Sequence, residues 1–226
     1  MNKISIGSLV IEVTRKCNMI CDHCLRGEAE NINIKEEYIE NVLKQCNFIS
    51  NITFTGGEPS LNSKAIEHFI SLVDKYNITI GSFYIATNGK NIKEDFLVAI
   101  CKLYSICDEP EMCEVNISKD YYHQINTNTD GGLLKALSFV SFRDENRTEG
   151  RWINEGYYAE NFDNGRKNNL EEYYIDDNYI SDGNIYLNAK GQIIAGPNWS
   201  YKSQNKYIIC NHNDNLLEKI IKYRGE

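Results

Sequence analysis

Long apolar runs are missing from this chain of 226 residues. No stretch approaches the ~20 consecutive apolar residues that a membrane-spanning helix needs. The first residues, Met1 to Gly7, lack the extended apolar region of a secretory signal. Basic charge is in deficit too: 24 Lys and Arg stand against 32 Asp and Glu, a net charge of −8. That balance argues against a broad electropositive surface for nucleic acid, though not against a local basic groove. There is no internal repeat, and no linker of biased composition divides the chain. These absences set the expectation of a cytoplasmic protein with no membrane contact and one domain-sized core.

What is present in excess is cysteine, with eight residues. In a reducing compartment cysteines point to metal or redox chemistry before disulfides. Cys17, Cys21 and Cys24 form a C-x3-C-x2-C run. Three thiolates this close hold a soft metal centre. A closed iron–sulfur cube takes four cysteines. Three leave one iron without a protein ligand, free to bind something else. A second reading is a zinc site completed by His23 or a distant ligand. A glycine-rich stretch follows at Gly56, Gly57, Glu58 and Pro59. Glycines without side chains let backbone approach a ligand closely, and Pro59 stiffens the exit. Zinc gives no reason for that stretch.

Periodicity places these motifs. Residues 8–13 read as a buried strand, 14–30 as a loop and 35–46 as a helix with an apolar stripe that includes Cys46. Residues 51–54 form a short strand. Ile66, Phe69, Ile70 and Val73 mark a helix capped by Asn62 or Ser63. A strand over 79–86 ends in Thr87, Asn88 and Gly89, and a third helix carries Phe96, Leu97, Ile100 and Tyr104. Residues 114–118 are a fourth strand, and 131–139 a short fourth helix. The pattern breaks over 141–180, where Trp152 to Asn154 is a candidate fifth strand. Residues 184–195 read as a hairpin turning near Lys190 and Gly191, and 216–223 as a terminal helix. Strands alternating with helices imply βαβ units and a parallel sheet. Ligands of such sheets bind at the C-terminal ends of the strands. All three motifs fall there.

The cysteine triad, Gly56 to Pro59, and Ala86 to Gly89, in that order, resemble the radical S-adenosylmethionine (SAM) superfamily. The resemblance implies an α/β fold, an incomplete (β/α)6-type TIM barrel of parallel strands with a short C-terminal hairpin and helix. Residues 1–195 would be the barrel core and 196–226 a tail packing on it. It implies one [4Fe–4S] cluster on Cys17, Cys21 and Cys24, with SAM chelating the fourth iron. Glu58 would accept a hydrogen bond from the SAM ammonium. Gly56, Gly57, Pro59, Thr87 and Asn88 would surround it, although Asn88-Gly89 also reads as a plain turn. Ser118 and Asp120 match a segment that bonds the SAM ribose, while His123 reads as a surface residue at a helix start and Asn154 as a loose match for a ribose or adenine contact. Arg143, Arg147, Arg151 and Arg166 are candidate partners for a carboxylate.

The resemblance further implies a 5′-deoxyadenosyl radical that takes a hydrogen atom from a substrate. A peptide or protein is the first expectation for that substrate. A small molecule or nucleoside, or a role as activase of a glycyl-radical enzyme, is the second. A non-catalytic iron–sulfur or zinc module is the third. The electron donor would be a flavodoxin or ferredoxin. No catalytic protein residue follows from the sequence. Cys46 and Cys101 read as core residues. Cys101, Cys107, Cys113 and Cys210 leave a second cluster open.

Overall fold

A computed structural model describes residues 3–126, 132–143 and 152–224. Strand β1 (Ile4–Thr14) is the axis of the fold. Every side chain from Leu9 to Thr14 is buried, so both edges of this strand must find backbone partners. It pairs in parallel with β2 (Cys46–Gly56) on one side and with a strand from much later in the chain on the other.

Between and after these two strands the chain alternates as its periodicity predicts. Helix α1 (Glu36–Leu43) precedes β2. Helix α2 (Ser63–Tyr76), β3 (Thr79–Thr87), α3 (Glu94–Ser105), β4 (Glu114–Ser118), α4 (Tyr121–Asn126) and β5 (Val140–Arg143) follow it. Next come α5 (Gly156–Asn161), β6 (Tyr174–Asp176), β7 (Tyr179–Leu187), β8 (Gln192–Ala195), α6 (Tyr201–Gln204), β9 (Ile208–Asn211) and α7 (Leu216–Arg224). The sheet runs β5-β4-β3-β2-β1-β7-β8-β9, with β6 paired to the start of β7. Strands β5 to β7 in that order are parallel, and β8 and β9 add antiparallel. The edge strands β5 and β9 do not meet, so this is an open, mostly parallel sheet in keeping with an incomplete barrel.

Helices α1, α2 and α3 cover one face. Ile39, Leu43, Ile66, Phe69, Phe96 and Leu103 pack there on Leu9, Ile11, Ile52, Phe54 and Ile85. Phe54 and Phe69 meet edge to face, with centroids 5.1 Å apart. The alternate positions of the strands face the other way and are largely polar. Ser8 Oγ donates to Asn184 Oδ1 (2.8 Å), Asn51 Nδ2 to Ser82 Oγ (2.9 Å) and Asn116 Nδ2 to Ser141 Oγ (3.1 Å). Among the described residues no helix is long and apolar enough to cross a membrane.

The structure departs from the sequence reading at several points. Cys46 opens β2 rather than closing α1, and is fully buried there. Cys101 on α3 is exposed, not core. Residues 132–136 form only a 3-10 turn, because the chain must straighten into β5 at Val140. That strand, not Trp152–Asn154, is the fifth; Ile153 makes a single bridge to Arg166. The sixth parallel strand is β7, and it lies beyond β1 instead of beyond β5. Asn62 caps nothing with its side chain; it donates to the Val13 carbonyl (2.7 Å). The 184–195 hairpin and the terminal helix stand where expected. Gly131, Arg147 and Arg151 lie outside the described residues.

Candidate metal and cofactor site

Two residues, Arg15 and Lys16, separate the end of β1 at Thr14 from Cys17. The ends of β2 and of the cysteine loop grip this segment from both sides. Gly57 N donates to Thr14 O (2.9 Å) and Glu58 N to Lys16 O (2.8 Å), while Arg15 N donates to Ile32 O (2.8 Å) and Glu30 N to Arg15 O (3.1 Å). Gly56 and Gly57 are glycines for this reason. A Cβ on Gly56 would lie 2.1 Å from Thr14 O, and one on Gly57 2.3 Å from Lys16 O. The sequence reading gave these glycines to a ligand; the close approach in the structure is to the chain's own backbone. Within the loop, Cys24 N donates to Cys21 O (2.9 Å). Gly156 at the start of α5 packs over it: its φ is +58°, and a Cβ there would meet Leu25 O at 2.3 Å. Tyr157 N donates to Cys24 O (2.9 Å).

The three cysteines line one cavity of about 540 Å³ together with Gly56 to Pro59, Thr87, Asn88 and Ser118. A smaller cavity of about 310 Å³ lies across the same loop, with Arg15, Arg26 and Tyr201 in its wall. Burial raises the Cys17 and Cys21 thiols. Cys21 is pushed up to about 12, first by desolvation and then by the neighbouring Cys24 and Cys17. Buried sulfurs that oppose each other's ionisation form a donor set that a cationic metal centre satisfies. Three sulfurs and the room around them fit an iron–sulfur cube with one iron left to a further ligand.

Glu58 is 1% exposed, and both its carboxylate oxygens accept hydrogen bonds. Its Oε1 accepts from Ser60 N (3.1 Å) and Thr87 Oγ1 (2.6 Å), and its Oε2 from Asn88 N (2.8 Å). The carboxylate therefore fixes the end of β3 to the end of β2. Asn88 Nδ2 then donates to Asn18 Oδ1 (2.8 Å), which ties the β3 turn to the cysteine loop. Thr87 and Asn88 are a turn and a cavity rim at once. Ser118 lines the cavity, and Asp120 is held by the start of its own helix between two residues that line it, His23 and His123. Its Oδ1 accepts from Tyr122 N (3.0 Å), His123 N (3.1 Å) and His123 Nδ1 (2.7 Å). Burial opposes the Asp120 charge, yet the bond and charge of His123 hold its carboxyl below the usual range. Its Oδ2 lies 3.8 Å from His23 Nε2. His23 is buried and stacks on Tyr122 at 4.3 Å. Desolvation lowers it to about 4 despite the nearby Asp120, so it is neutral. His123 is not a surface residue; it lines the cavity with Arg143, Trp152 and Arg166. Asn154 is not among the lining residues.

The profile of the Radical SAM superfamily matches residues 11–118. Over these residues the chain matches the radical SAM superfamily. The matched stretch holds the cysteine loop, the Gly56–Pro59 segment and the Thr87–Asn88 turn, and ends at Ser118. A match to that family implies a [4Fe–4S] cluster and SAM as cofactors. A GTP 3′,8-cyclase of Helicobacter pylori is 28% identical over 122 residues, covering 51% of this chain and 35% of the relative. An uncharacterized protein of Methanocaldococcus jannaschii is 30% identical over 99 residues, 42% of this chain and 35% of that one. The chain thus spans about a third of the length of these curated relatives. In fold, it resembles a structure described as native anSMEcpe with bound AdoMet and Cp18Cys peptide. The TM-score is 0.55 at 14% identity, over 96% of this chain and 80% of that one.

The sequence reading missed four contributors. Glu12 is completely buried and pairs with Arg15 (Nε–Oε1 2.6 Å). Gln204 Nε2 donates to Glu12 Oε2 (3.0 Å), and Tyr186 OH donates to the same oxygen (2.5 Å). A charged pair inside an apolar strand was the available signal, but its partners lie some 190 residues away. Cys107 and Cys113 are side-chain neighbours, but Cys101 is exposed on α3 and Cys210 is not with them. Cys210 sits in β9 at one edge of the sheet, and Cys107 and Cys113 flank the start of β4 near the other.

Proposed function

We propose that Cys17, Cys21 and Cys24 hold one [4Fe–4S] cluster, that SAM occupies the adjoining cavity, and that the enzyme abstracts a hydrogen atom from a peptide or protein segment. The observation that carries this reading is the convergence of three cysteines on the cavity rimmed by Gly57, Thr87, Asn88 and Ser118. When bound and reduced, the cluster and SAM together supply a 5′-deoxyadenosyl radical. The protein's own part is orientation and exclusion of water. Gly57 and Glu58 hold the strand that delivers Cys17. Glu58 sets the Thr87–Asn88 rim, leaving the faces of that turn to the polar groups of SAM. His23 and Trp152 form an aromatic wall, with centroids 4.6 Å apart and Tyr122 stacked on His23, which keeps the radical's surroundings dry.

The open sheet supports a peptide, because edges that do not meet leave a lateral entrance for an extended chain. The fold neighbour crystallised with a peptide adds a parallel case. A flavodoxin or ferredoxin is the electron donor in this scheme. A second reading, a small anionic molecule, is favoured by Arg143 and Arg166 in the cavity wall and by the GTP cyclases among the relatives. The test is anaerobic reconstitution followed by reduction with dithionite and addition of SAM. About four irons per chain and release of 5′-deoxyadenosine are expected, with both lost in Cys17→Ala. Peptides encoded beside the gene and nucleoside triphosphates are then offered in parallel and read by mass. A mass change confined to the nucleotide replaces the first reading with the second.

A further inference from the structure

Two guanidinium groups stand behind the cysteine loop, and only one has carboxylates to balance it. Arg15 lies against Glu12 and Glu30, at 2.6 and 2.8 Å. Arg26, two residues after Cys24, has no carboxylate within ion-pair distance among the described residues. Its Nη1 donates to the Trp199 carbonyl (2.6 Å) and its Cζ lies 5.1 Å from the Tyr186 ring centroid. The nearest buried acid, Glu12, is already taken up by Arg15, Tyr186, Gln204 and the Ala189 amide. Arg26 lines both cavities that flank the three cysteines. Arg26 is half-buried; burial opposes its charge, but Tyr186 and Glu12 favour it and hold its pKa above the ordinary value, and the group is held in place. The C-terminal segment fixes it twice, through Trp199 O and through Tyr201 N, which donates to Arg26 O (3.1 Å).

We propose that Arg26 is the fixed counter-charge of the iron–sulfur cluster and raises its reduction potential. The inference rests on the cluster reading above. Three thiolates outweigh the charge of the oxidised core, and one-electron reduction adds a further negative charge. A positive group beside the sulfurs therefore stabilises the reduced form more than the oxidised one. Reduction is the step that any external donor must drive, so the position of this charge bears on the reaction without touching substrate. Arg26 is a positioning residue in this sense. The segment 199–201 that holds it belongs to the functional site and not to a passive tail.

The experiment is a potentiometric titration of the reconstituted protein followed by EPR, without SAM, on wild type, Arg26→Gln, Arg26→Lys and Lys202→Gln. Lys202 is an exposed cation on the same segment, 84% accessible, and controls for general charge. Arg26→Gln is expected to make reduction at least tenfold less favourable, about 59 mV for one electron. Arg26→Lys keeps most of the wild-type value, and Lys202→Gln all of it. An unchanged midpoint in Arg26→Gln with about four irons bound overturns the proposal. If the SAM affinity of that variant then falls tenfold, Arg26 pairs with the SAM carboxylate instead. Thermal melting of the iron-free protein provides a reading independent of cluster loading. There Arg26→Met is expected to melt no lower than wild type, because it breaks no ion pair among the described residues and keeps the packing of the stem. A lower melting point means that Arg26 serves the fold through Trp199, and the proposal fails. Wild type without four irons would sink the cluster reading itself, a different outcome.

Discussion

Replacing Gly57 by alanine tests whether this glycine serves a ligand or the chain. The added Cβ would sit 2.3 Å from Lys16 O and 2.9 Å from Arg15 O. Both atoms are backbone and cannot swing aside. To reach an ordinary contact the two segments must part by about 1 Å. That opening breaks the bonds from Gly57 N to Thr14 O and from Glu58 N to Lys16 O. Each is worth about 0.5–1.5 kcal/mol, so the cost is about 1–3 kcal/mol. For a chain of this size that lowers the melting temperature by roughly 2–12 °C. Cys17 follows the moved segment directly, and a shift of about 1 Å at a reacting centre costs on the order of 100-fold in rate. The assay has two parts. Calorimetry of the iron-free protein should show the lowered melting point before any cofactor is present. The reconstituted variant should then hold fewer than four irons and release 5′-deoxyadenosine slowly. An iron-free Gly57→Ala that melts within 1 °C of wild type would refute the reasoning, and the glycine would return to its role as a place for ligand approach.

Arg15→Met strands the completely buried Glu12 and should cost about 3–5 kcal/mol, while Glu12→Gln with Arg15→Met should recover much of it; urea unfolding of both variants measures the difference. Glu58→Gln puts an amide nitrogen where an oxygen now accepts from Ser60, Thr87 or Asn88, a loss of about 1.5–3 kcal/mol by the same measurement. Asp120→Asn should cost about 1–2 kcal/mol at neutral pH. Because the Asp120 carboxyl is held below its usual value in the folded protein, its contribution is present above pH ~3.9 and fades as the pH falls through that range. Wild type and Asp120→Asn should therefore converge in stability on acidification, and a constant gap would contradict the pairing with His123.

The half of the fold that the sequence revealed is the half built from local pattern. Strands at 8–13, 79–86 and 114–118 and the helices between them follow from apolar periodicity, and the three motifs sit at strand ends because parallel sheets put their sites there. Two kinds of information were not local. Cys46 has a helical neighbourhood by spacing, but the pairing of Ile4 with Cys46 at the start of β1–β2 draws it into the sheet. The place of β7 beside β1 is the larger case. Leu9 to Thr14 were legible as buried, yet nothing nearby names the strand that covers the second edge. It comes from residues 179–187, after a stretch without regular period. Asp120 shows a second role that its spacing did not expose. Its spacing from Ser118 fits a ligand contact, whereas a helix starts at Tyr121 and claims the carboxylate for its own amides.

These non-local pieces share one destination. Glu12 reaches Gln204 and Tyr186, Arg15 reaches Glu30 and Gln204, and Arg26 reaches Trp199 and Tyr186. The cysteine loop thus stands between two supports of different character. On the side of β2 and β3 it is held by backbone hydrogen bonds and by one buried carboxylate, Glu58. On the side of β7 and α6 it is held by buried charges whose partners come from the last third of the chain. Backbone contacts fix where the sulfurs are. Charges fix the potential that the sulfurs feel, because a cation in a site with little water acts over several ångströms with little screening. The first support lies in the stretch that the superfamily profile covers, residues 11–118. The partners in the second lie beyond it. A radical-generating centre can therefore keep its geometry while its electrostatics are set by a C-terminal segment that short-range sequence patterns do not expose.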